Sequence, residues 1–332
     1  MEIRKRIDIL KKVISILLLN KTIPLNINFS LTDKCNLSCE YCETASRNLK
    51  EMGLKDIFYI IDQLKRCGCK RIGFTGGEPL LRKDLKEIID YTKGYHIFTT
   101  LSTNGSLIKE RINDIKKLDI LTVSLNGPEP IHNIQSGSDV FKRVIEGIKV
   151  AKEYKLKVYT LTVLTKYNTK IKYLESILSF VKELELSCFF QPVCDSRLFL
   201  REKKWPLPSE EEFRNAINYL ISQKIQGMPI NNSISCLRYF RDRWLCPDKK
   251  MKCWAGKAFF YIDTDGLLYP CLAMIKYKGY IDIFNKDLRG VLKTEKFELP
   301  HSCDCWCSTF TEIGLIFSFK MEAIRNMWRF LK

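Results

Sequence analysis

A chain of 332 residues, 45% of them hydrophobic, can bury one large core with a smaller unit beside it. Fourteen cysteines, in a sequence that nothing marks as secreted, argue for metal binding and against a disulfide framework. The net charge of +17 invites a nucleic-acid reading, but the basic residues are scattered as Lys-rich helix faces without interleaved aromatics. No nucleic acid is expected, and an anionic membrane or anionic substrate is the second reading after a solvated surface.

Residues 1–24 open on a basic amphipathic pattern, with Ile3, Ile7, Leu10, Val13, Ile14 and Leu17 at helical spacing against Arg4, Lys5, Lys11 and Lys12. The apolar run 13–19 is far shorter than the about 20 residues a bilayer span needs. No small-residue cleavage site follows it. From residue 25, short β-rich runs alternate with helical patterns, which predicts βα units on a parallel sheet. Strands are expected at 25–31, 71–74, 96–102, 120–125, 157–164 and 186–191. Helices are expected at 57–67 with Asp56 as cap, 84–92, 109–118, 140–154 and 172–184, and one at 209–223 would close six repeats. Six are too few for an eight-stranded barrel. The expected fold class is therefore α/β, an open (βα)6 partial TIM barrel over 25–230.

A Pro-flanked basic stretch at 201–208 reads as a long connection leaving the barrel. Seven of the fourteen cysteines then fall between Cys236 and Cys307, predicting a small cysteine-rich unit over 231–312. Within it, two β runs around Asp265-Gly266 predict a β-hairpin at 261–270. The end of the chain, 313–332, is again amphipathic, with Leu315, Ile316, Phe319, Ile324, Met327, Trp328 and Leu331 beside Lys320, Arg325, Arg329 and Lys332. Basic helices with Trp and Phe on the apolar face suit a membrane interface. The alternative is that both terminal helices pack on the barrel.

The run from Cys35 through Cys39 to Cys42 has the spacing C-x3-C-x2-C. Three such thiolates can wrap a cuboidal iron–sulfur cluster and leave its fourth iron without a protein ligand. A zinc site would want four ligands, and His96, His132 and His301 all lie far away in sequence. Downstream comes Thr75-Gly76-Gly77-Glu78-Pro79. Together these two motifs, with the aromatic Tyr41 before the third cysteine, resemble the signatures of the radical S-adenosylmethionine (radical SAM) enzymes.

That resemblance implies a [4Fe-4S] cluster on Cys35, Cys39 and Cys42, with SAM chelating the open iron. It implies reductive cleavage of SAM to a 5′-deoxyadenosyl radical that abstracts hydrogen from a substrate, and an external electron donor such as flavodoxin or ferredoxin. Cofactor contacts are implied at Tyr41, Gly76, Gly77, Glu78 and Pro79. The glycines would let the backbone approach SAM, and Glu78 would accept from its ammonium group. Further contacts are implied at Ser102 and Asn104 after the third strand and at Ser124 and Asn126 after the fourth, where relatives often carry Asp in place of Asn126. Val163-Leu164-Thr165 is a third strand end of this kind. Asn-Gly pairs are also ordinary turn formers. An oxygen-sensitive cluster belongs in a reducing compartment, so a cytoplasmic protein is expected, with peripheral contact at the inner face of the membrane as an extension.

Cys253, Gly266 and Cys271 are spaced C-x12-G-x4-C, which looks like the opening of the auxiliary-cluster region of the SPASM and twitch subfamilies. The remaining ligands would be two of Cys303, Cys305 and Cys307, with Cys246 as a further candidate. Six late cysteines are too few for two clusters, which need eight thiolates, so one auxiliary [4Fe-4S] cluster is expected. A four-cysteine zinc site is the alternative. Cys67, Cys69, Cys188, Cys194 and Cys236 read as ordinary thiols. Leu272 stands where sulfatase-maturing relatives carry an Asp proton acceptor, which speaks against that chemistry. About 24 residues precede the first strand, so a peptide-recognition domain would have to be a separate protein. Gln191 is expected on the substrate side. The terminal helices favour a hydrophobic or membrane-associated substrate. A peptide delivered by a partner is the alternative, and a non-catalytic iron–sulfur or zinc module is the alternative of another class.

Overall fold

The computed structural model describes residues 2–193, 205–245, 252–277, 280–295, 297 and 307–330. Helix α1 (Glu2–Leu18) leads into β1 (Asn26–Ser30). Then follow α2 (Leu54–Arg66), β2 (Arg71–Thr75), α3 (Leu85–Gly94), β3 (Phe98–Thr103), α4 (Ile108–Ile115) and β4 (Ile120–Ser124). The chain continues through α5 (Glu129–Ser136), α6 (Phe141–Glu153), β5 (Val158–Leu164), α7 (Ile171–Glu183), β6 (Ser187–Pro192), α8 (Glu210–Ile225) and α9 (Ile234–Leu245). The C-terminal part holds β7 (Phe259–Ile262), β8 (Leu267–Tyr269), β9 (Ile281–Asp282), α10 (Leu288–Thr294), α11 (Ser308–Phe317) and α12 (Met321–Phe330).

Strands β1 to β6 lie in sequence order and pair in parallel, each returned by a helix, which is the expected partial barrel. Alternation along the strands divides the sheet into two faces. Ile27, Phe29, Ile72, Phe74, Leu101 and Val123 are fully buried in the main core beneath the helices. Asn26 and Asn28 of β1, Arg71 of β2 and Thr100 of β3 point the other way and hydrogen-bond one another across the lumen.

Three features depart from the expectations. The helix expected at 57–67 starts at Leu54, and Asp56 lies inside its first turn, accepting from Gly53 N–H at 3.2 Å instead of sitting at the cap. The expected hairpin forms, but its first strand is not set apart from the barrel. β7 pairs in parallel with the free edge of β1, Asn26 opposite Phe259, so one sheet of nine strands runs β6-β5-β4-β3-β2-β1-β7-β8-β9. The single amphipathic helix expected at 313–332 is two helices, broken where Phe319 takes φ = 56°.

The terminal helices dock on the barrel. Glu312 of α11 accepts from Ser233 N–H at 2.6 Å, and Glu322 of α12 accepts from Ile234 and Ser235 N–H at 3.0 Å each. Two carboxylates thus satisfy the otherwise orphaned first amides of α9. At its other end α11 stacks Phe310 on Phe259 of β7, with ring centroids 4.2 Å apart, while Ser308 lies 3.5 Å from Gln191 Oε1 of β6. Helix α11 therefore touches both the edge strand β6 and the strand β7 added beside β1. A second, smaller apolar cluster forms here from Ile16, Trp254, Ala258, Phe259, Cys271, Phe310 and Phe317, with Val13 and Leu17 packed against it. The apolar face expected on α1 is thereby split. Val13 and Leu17 turn inward, whereas Ile7, Leu10, Ile14 and Leu18 stay exposed.

Candidate active site

The cysteine loop leaves the C-terminal end of β1, and the Gly-Gly-Glu-Pro turn leaves the C-terminal end of the adjacent β2. The two are bonded backbone to backbone. Gly77 N–H donates to Thr32 O at 2.6 Å and Glu78 N–H to Lys34 O at 2.8 Å. A Cβ on Gly76 would stand 2.4 Å from Thr32 O, and one on Gly77 2.3 Å from Lys34 O. The glycines are thus required by the chain itself, because the turn lies flush against the strand of loop that enters Cys35. Sequence reasoning assigned them to SAM alone.

Glu78 is 0% exposed. Its carboxylate accepts from Leu80 N–H at 2.9 Å, Thr103 Oγ1 at 2.8 Å and Asn104 N–H at 2.7 Å, tying the turn to the end of β3. Burial pushes its pKa up to about 7 against the pull of these donors. Pro79 follows, buried, as the first residue of a short 3-10 turn.

Cys35, Cys39 and Cys42 are free thiols on one loop, and burial first, then neighbouring charge including Cys42, raises the pKa of Cys35. Cys39 is pushed up to about 12 by burial first and by Cys42 and Cys35 second. Three free thiols on one loop at C-x3-C-x2-C spacing are a donor set that fits an iron–sulfur cluster with one iron left open. Two donors approach one of the sulfurs: Leu37 N–H and Asn104 Nδ2 lie 3.4 and 3.9 Å from Cys35 Sγ.

The expected cofactor positions after β3 and β4 gather at the same rim. Ser102 is exposed on the lumen face of β3, and Ser124 half-buried at the end of β4. Asn126 sits deeper, donating from Nδ2 to Tyr41 Oη at 2.8 Å and accepting at Oδ1 from Val163 N–H at 3.0 Å. Thr165, at the third strand end, is buried against Asn168.

Sequence reasoning missed the clamp on the cysteine loop. Arg47 reaches Asp263 with two hydrogen bonds of 2.9 and 2.8 Å and Asp33 with one of 2.5 Å. Thr264 Oγ1 adds a bond to Asp33 at 2.9 Å. Burial works against the Arg47 charge, but Asp263 and Asp33 hold its pKa above the ordinary value. Nothing in a single sequence marks an Arg and an Asp 216 positions apart as partners.

Deeper in the lumen, Arg71 folds back over Gly73, where a Cβ would meet its Nη2 at 2.7 Å. Its guanidinium bonds Asn26 Oδ1 at 2.5 Å, Asn28 Oδ1 at 3.3 Å and Thr100 Oγ1 at 2.8 Å. No carboxylate among the described residues pairs with it, and burial lowers its pKa to about 10.

Of the expected auxiliary ligands, Cys271 belongs to the second apolar cluster and Cys307 packs against it, while the exposed Cys253 precedes Trp254 of the same cluster. Cys303, Cys305 and Cys246 lie outside the described residues.

The family profile described as the Radical SAM superfamily matches residues 29–181, which begin in β1 and take in both motifs. The chain carries a radical SAM domain. Family members of this kind use a [4Fe-4S] cluster and SAM, and the cysteine loop just described has the donors for the first. A protein of Methanocaldococcus jannaschii named probable GTP 3′,8-cyclase is 28% identical over 304 residues, 84% of this chain and 93% of that relative. One of the same name from Thermococcus kodakarensis is 33% identical over 135 residues, 39% of this chain and 44% of that relative. The crystal structure of Streptococcus suis SuiB bound to S-adenosylmethionine shares the fold at a TM-score of 0.65 and 20% identity, over 88% of this chain and 67% of that one. The structure of anSMEcpe with bound AdoMet does so at 0.66 and 20%, over 82% of this chain and 80% of that one. Residues 29–181 are thus the part that the family profile identifies, and the solved structures share the fold.

Proposed function

We propose that the protein reductively cleaves SAM at the Cys35–Cys39–Cys42 loop and abstracts hydrogen from a substrate admitted to the barrel lumen. One observation carries this reading: the three free thiols lie on a loop bonded to the Gly76-Gly77 turn, at the C-terminal ends of parallel strands. When bound there, the cluster and SAM would supply the electron and the 5′-deoxyadenosyl radical, with a flavodoxin or ferredoxin as external donor. The chain's own residues do the holding. Cys35, Cys39 and Cys42 would ligate three irons, the turn and Glu78 fix the loop against β3, and the lumen beneath would receive the substrate. After anaerobic reconstitution with iron, sulfide and dithionite, 5′-deoxyadenosine should form from SAM, and Cys35→Ala should abolish it. A verified, reduced cluster that leaves SAM intact would refute the reading in favour of a non-catalytic iron–sulfur module.

The lumen supports a substrate with an anionic group. Arg71 is held by two Asn side chains and a Thr instead of a carboxylate, so its charge remains available to a ligand. The GTP in the relatives' names is the first probe. Calorimetry should give tighter GTP binding to the wild type than to Arg71→Ala, and equal affinities would remove nucleotides from consideration. Cys253, Cys271 and two of the late cysteines are proposed to hold one auxiliary [4Fe-4S] cluster.

The exposed stripe Ile7, Leu10, Ile14 and Leu18 supports a second reading, peripheral contact of α1 with an anionic membrane. Leu18 is 77% and Leu10 58% exposed. No helix among the described residues is long and apolar enough to cross a membrane. Flotation with acidic vesicles at low salt tests this contact, and a protein that stays at the bottom of the gradient excludes it. A peptide delivered by a separate protein is the alternative, since SuiB has been crystallised with its precursor peptide SuiA.

A further inference from the structure

Phe319 stands where a helix normally ends on glycine. Helix α11 finishes in a Schellman turn, with Phe319 N–H donating to Ile316 O and Lys320 N–H to Leu315 O at 3.0 Å each, and Phe319 takes the left-handed conformation. A β carbon is strained there. The ring gains no burial in return, since it is 67% exposed, and Met321 beyond it is 59% exposed. Packing therefore does not account for an aromatic ring at this corner. The end of α1 is similar, with Leu19 61% exposed beside the still more exposed Leu18. Leu18, Leu19, Phe319 and Met321 are four of the five most exposed large apolar side chains among the described residues.

The two corners flank one cluster. Leu17 of α1 packs against the second apolar cluster, and Phe317 of α11 belongs to it, its ring 4.9 Å from that of Trp254. The charges around them are of one sign. Segments 13–25, 252–262 and 313–321 carry Lys21, Lys252, Lys257 and Lys320 and no acidic residue. Lys257 hydrogen-bonds the side chain of Asn20, next to Leu19, and the Lys252 ammonium lies 4.5 Å from the centre of the Trp254 ring. Exposed apolar side chains rimmed by lysines alone match an anionic lipid surface. The same rim opposes a second copy of this chain, because a twofold contact would set lysines against lysines. The position in the fold is also defined. Leu25, just before β1, packs against the same cluster, and Phe259 opens β7, so these corners lie toward the N-terminal ends of the strands. The cysteine loop leaves the opposite end of β1.

We propose that the end of α1 and the α11–α12 corner together seat the protein on an anionic bilayer at the foot of the barrel, with the cysteine loop turned toward water. The inference rests on the membrane reading given above for α1 and goes beyond it in two respects. It adds Phe319 and Met321 as a second point of insertion, and it makes the bilayer an anchoring surface, with substrate reaching the lumen from the aqueous side.

The test uses the full-length protein with phosphatidylcholine vesicles prepared with and without phosphatidylserine. Hydrogen exchange at 18–21 and 318–321 should slow on the anionic vesicles alone, while exchange at 35–42 stays at its free rate on both. Phe319→Gly should melt no lower than wild type, since glycine suits the left-handed turn, yet co-float far less. Lys320→Ala should weaken binding about fivefold at low salt. If the wild type co-floats and both Phe319→Gly and Met321→Ser bind as tightly, α1 alone makes the contact, and this inference falls while the reading for α1 stands. A wild type that does not co-float removes both. Slowed exchange at 35–42 on anionic vesicles would overturn the orientation. A Phe319→Gly protein that melts well below wild type would make the ring a packing residue and overturn its role. A concentration-dependent dimer that Phe319→Gly dissociates, with no vesicle binding, would assign the corner to a second copy and overturn the inference.

Discussion

Arg47 grips Asp263 with both arms of its guanidinium and holds Asp33 with one of them, so the loop bearing the three cysteines is locked to the hairpin of β7 and β8. Both carboxylates are buried and Arg47 is largely so. Removing one partner of such a group leaves uncompensated charge out of water, at a cost of about 3–5 kcal/mol. Arg47→Ala should lower the midpoint of thermal unfolding and release the cysteine loop, so less iron should be retained after reconstitution. Arg47→Lys should rescue only part of both, because a single ammonium cannot match the two-pronged geometry. Wild-type melting and iron content in Arg47→Ala would show the clamp to be dispensable.

Gly77→Ala tests the contact between the turn and the cysteine loop. The new methyl group would arrive 2.3 Å from Lys34 O, a backbone atom that can yield only if the loop moves. The variant should stay folded, since β2 and its helices are untouched, yet bind iron at well below wild-type stoichiometry. Circular dichroism with an iron assay checks this. A soluble variant with full iron content would mean the loop tolerates the shift.

A pH dependence follows from Glu312. Burial raises its pKa from 4.5 to about 7. A carboxyl whose folded pKa is raised favours the folded state below its unfolded pKa and loses that contribution as pH climbs through the folded value. Stability should therefore fall between about pH 4.5 and pH 7, by up to about 3 kcal/mol from this group. Glu312→Gln, which keeps an acceptor for Ser233 N–H, should flatten that slope. Identical slopes for wild type and variant in melts across this range would contradict the assignment.

The auxiliary site is tested without the first one. A Cys35, Cys39 and Cys42 triple alanine variant should keep about four irons per chain if Cys253, Cys271 and two late cysteines hold one cubane cluster. Zinc in its place would establish the four-cysteine alternative.

The six βα repeats were legible because strand and helix differ in period, and β1 to β6 appear within a residue or two of their expected bounds. The cysteine loop and the glycine turn were legible because chemistry forces fixed spacing. What escaped was everything held by distant side chains. The pairing of β7 with β1 has no local signal, since Phe259–Ile262 reads equally as a free hairpin strand. Asn126 was placed at the cofactor by resemblance alone, and no sequence signal tells that its amide also bonds Tyr41 and Val163. The amphipathic pattern of α1 was correct in period and ambiguous in direction, since both an inward and an outward apolar face exist.

The pairing of β1 between β2 and β7 sets an order of assembly. During synthesis the chain emerges from its N-terminus, and units fold as their partners become available. Residues 29–181, with all three cysteines of the first loop, are complete long before Phe259 leaves the ribosome. Until then β1 keeps one edge bare, Asp33 has no Thr264, and Arg47 has no Asp263. A nascent chain halted before residue 259 would thus carry all three cysteines of the first motif on a loop without its Arg47–Asp263 clamp.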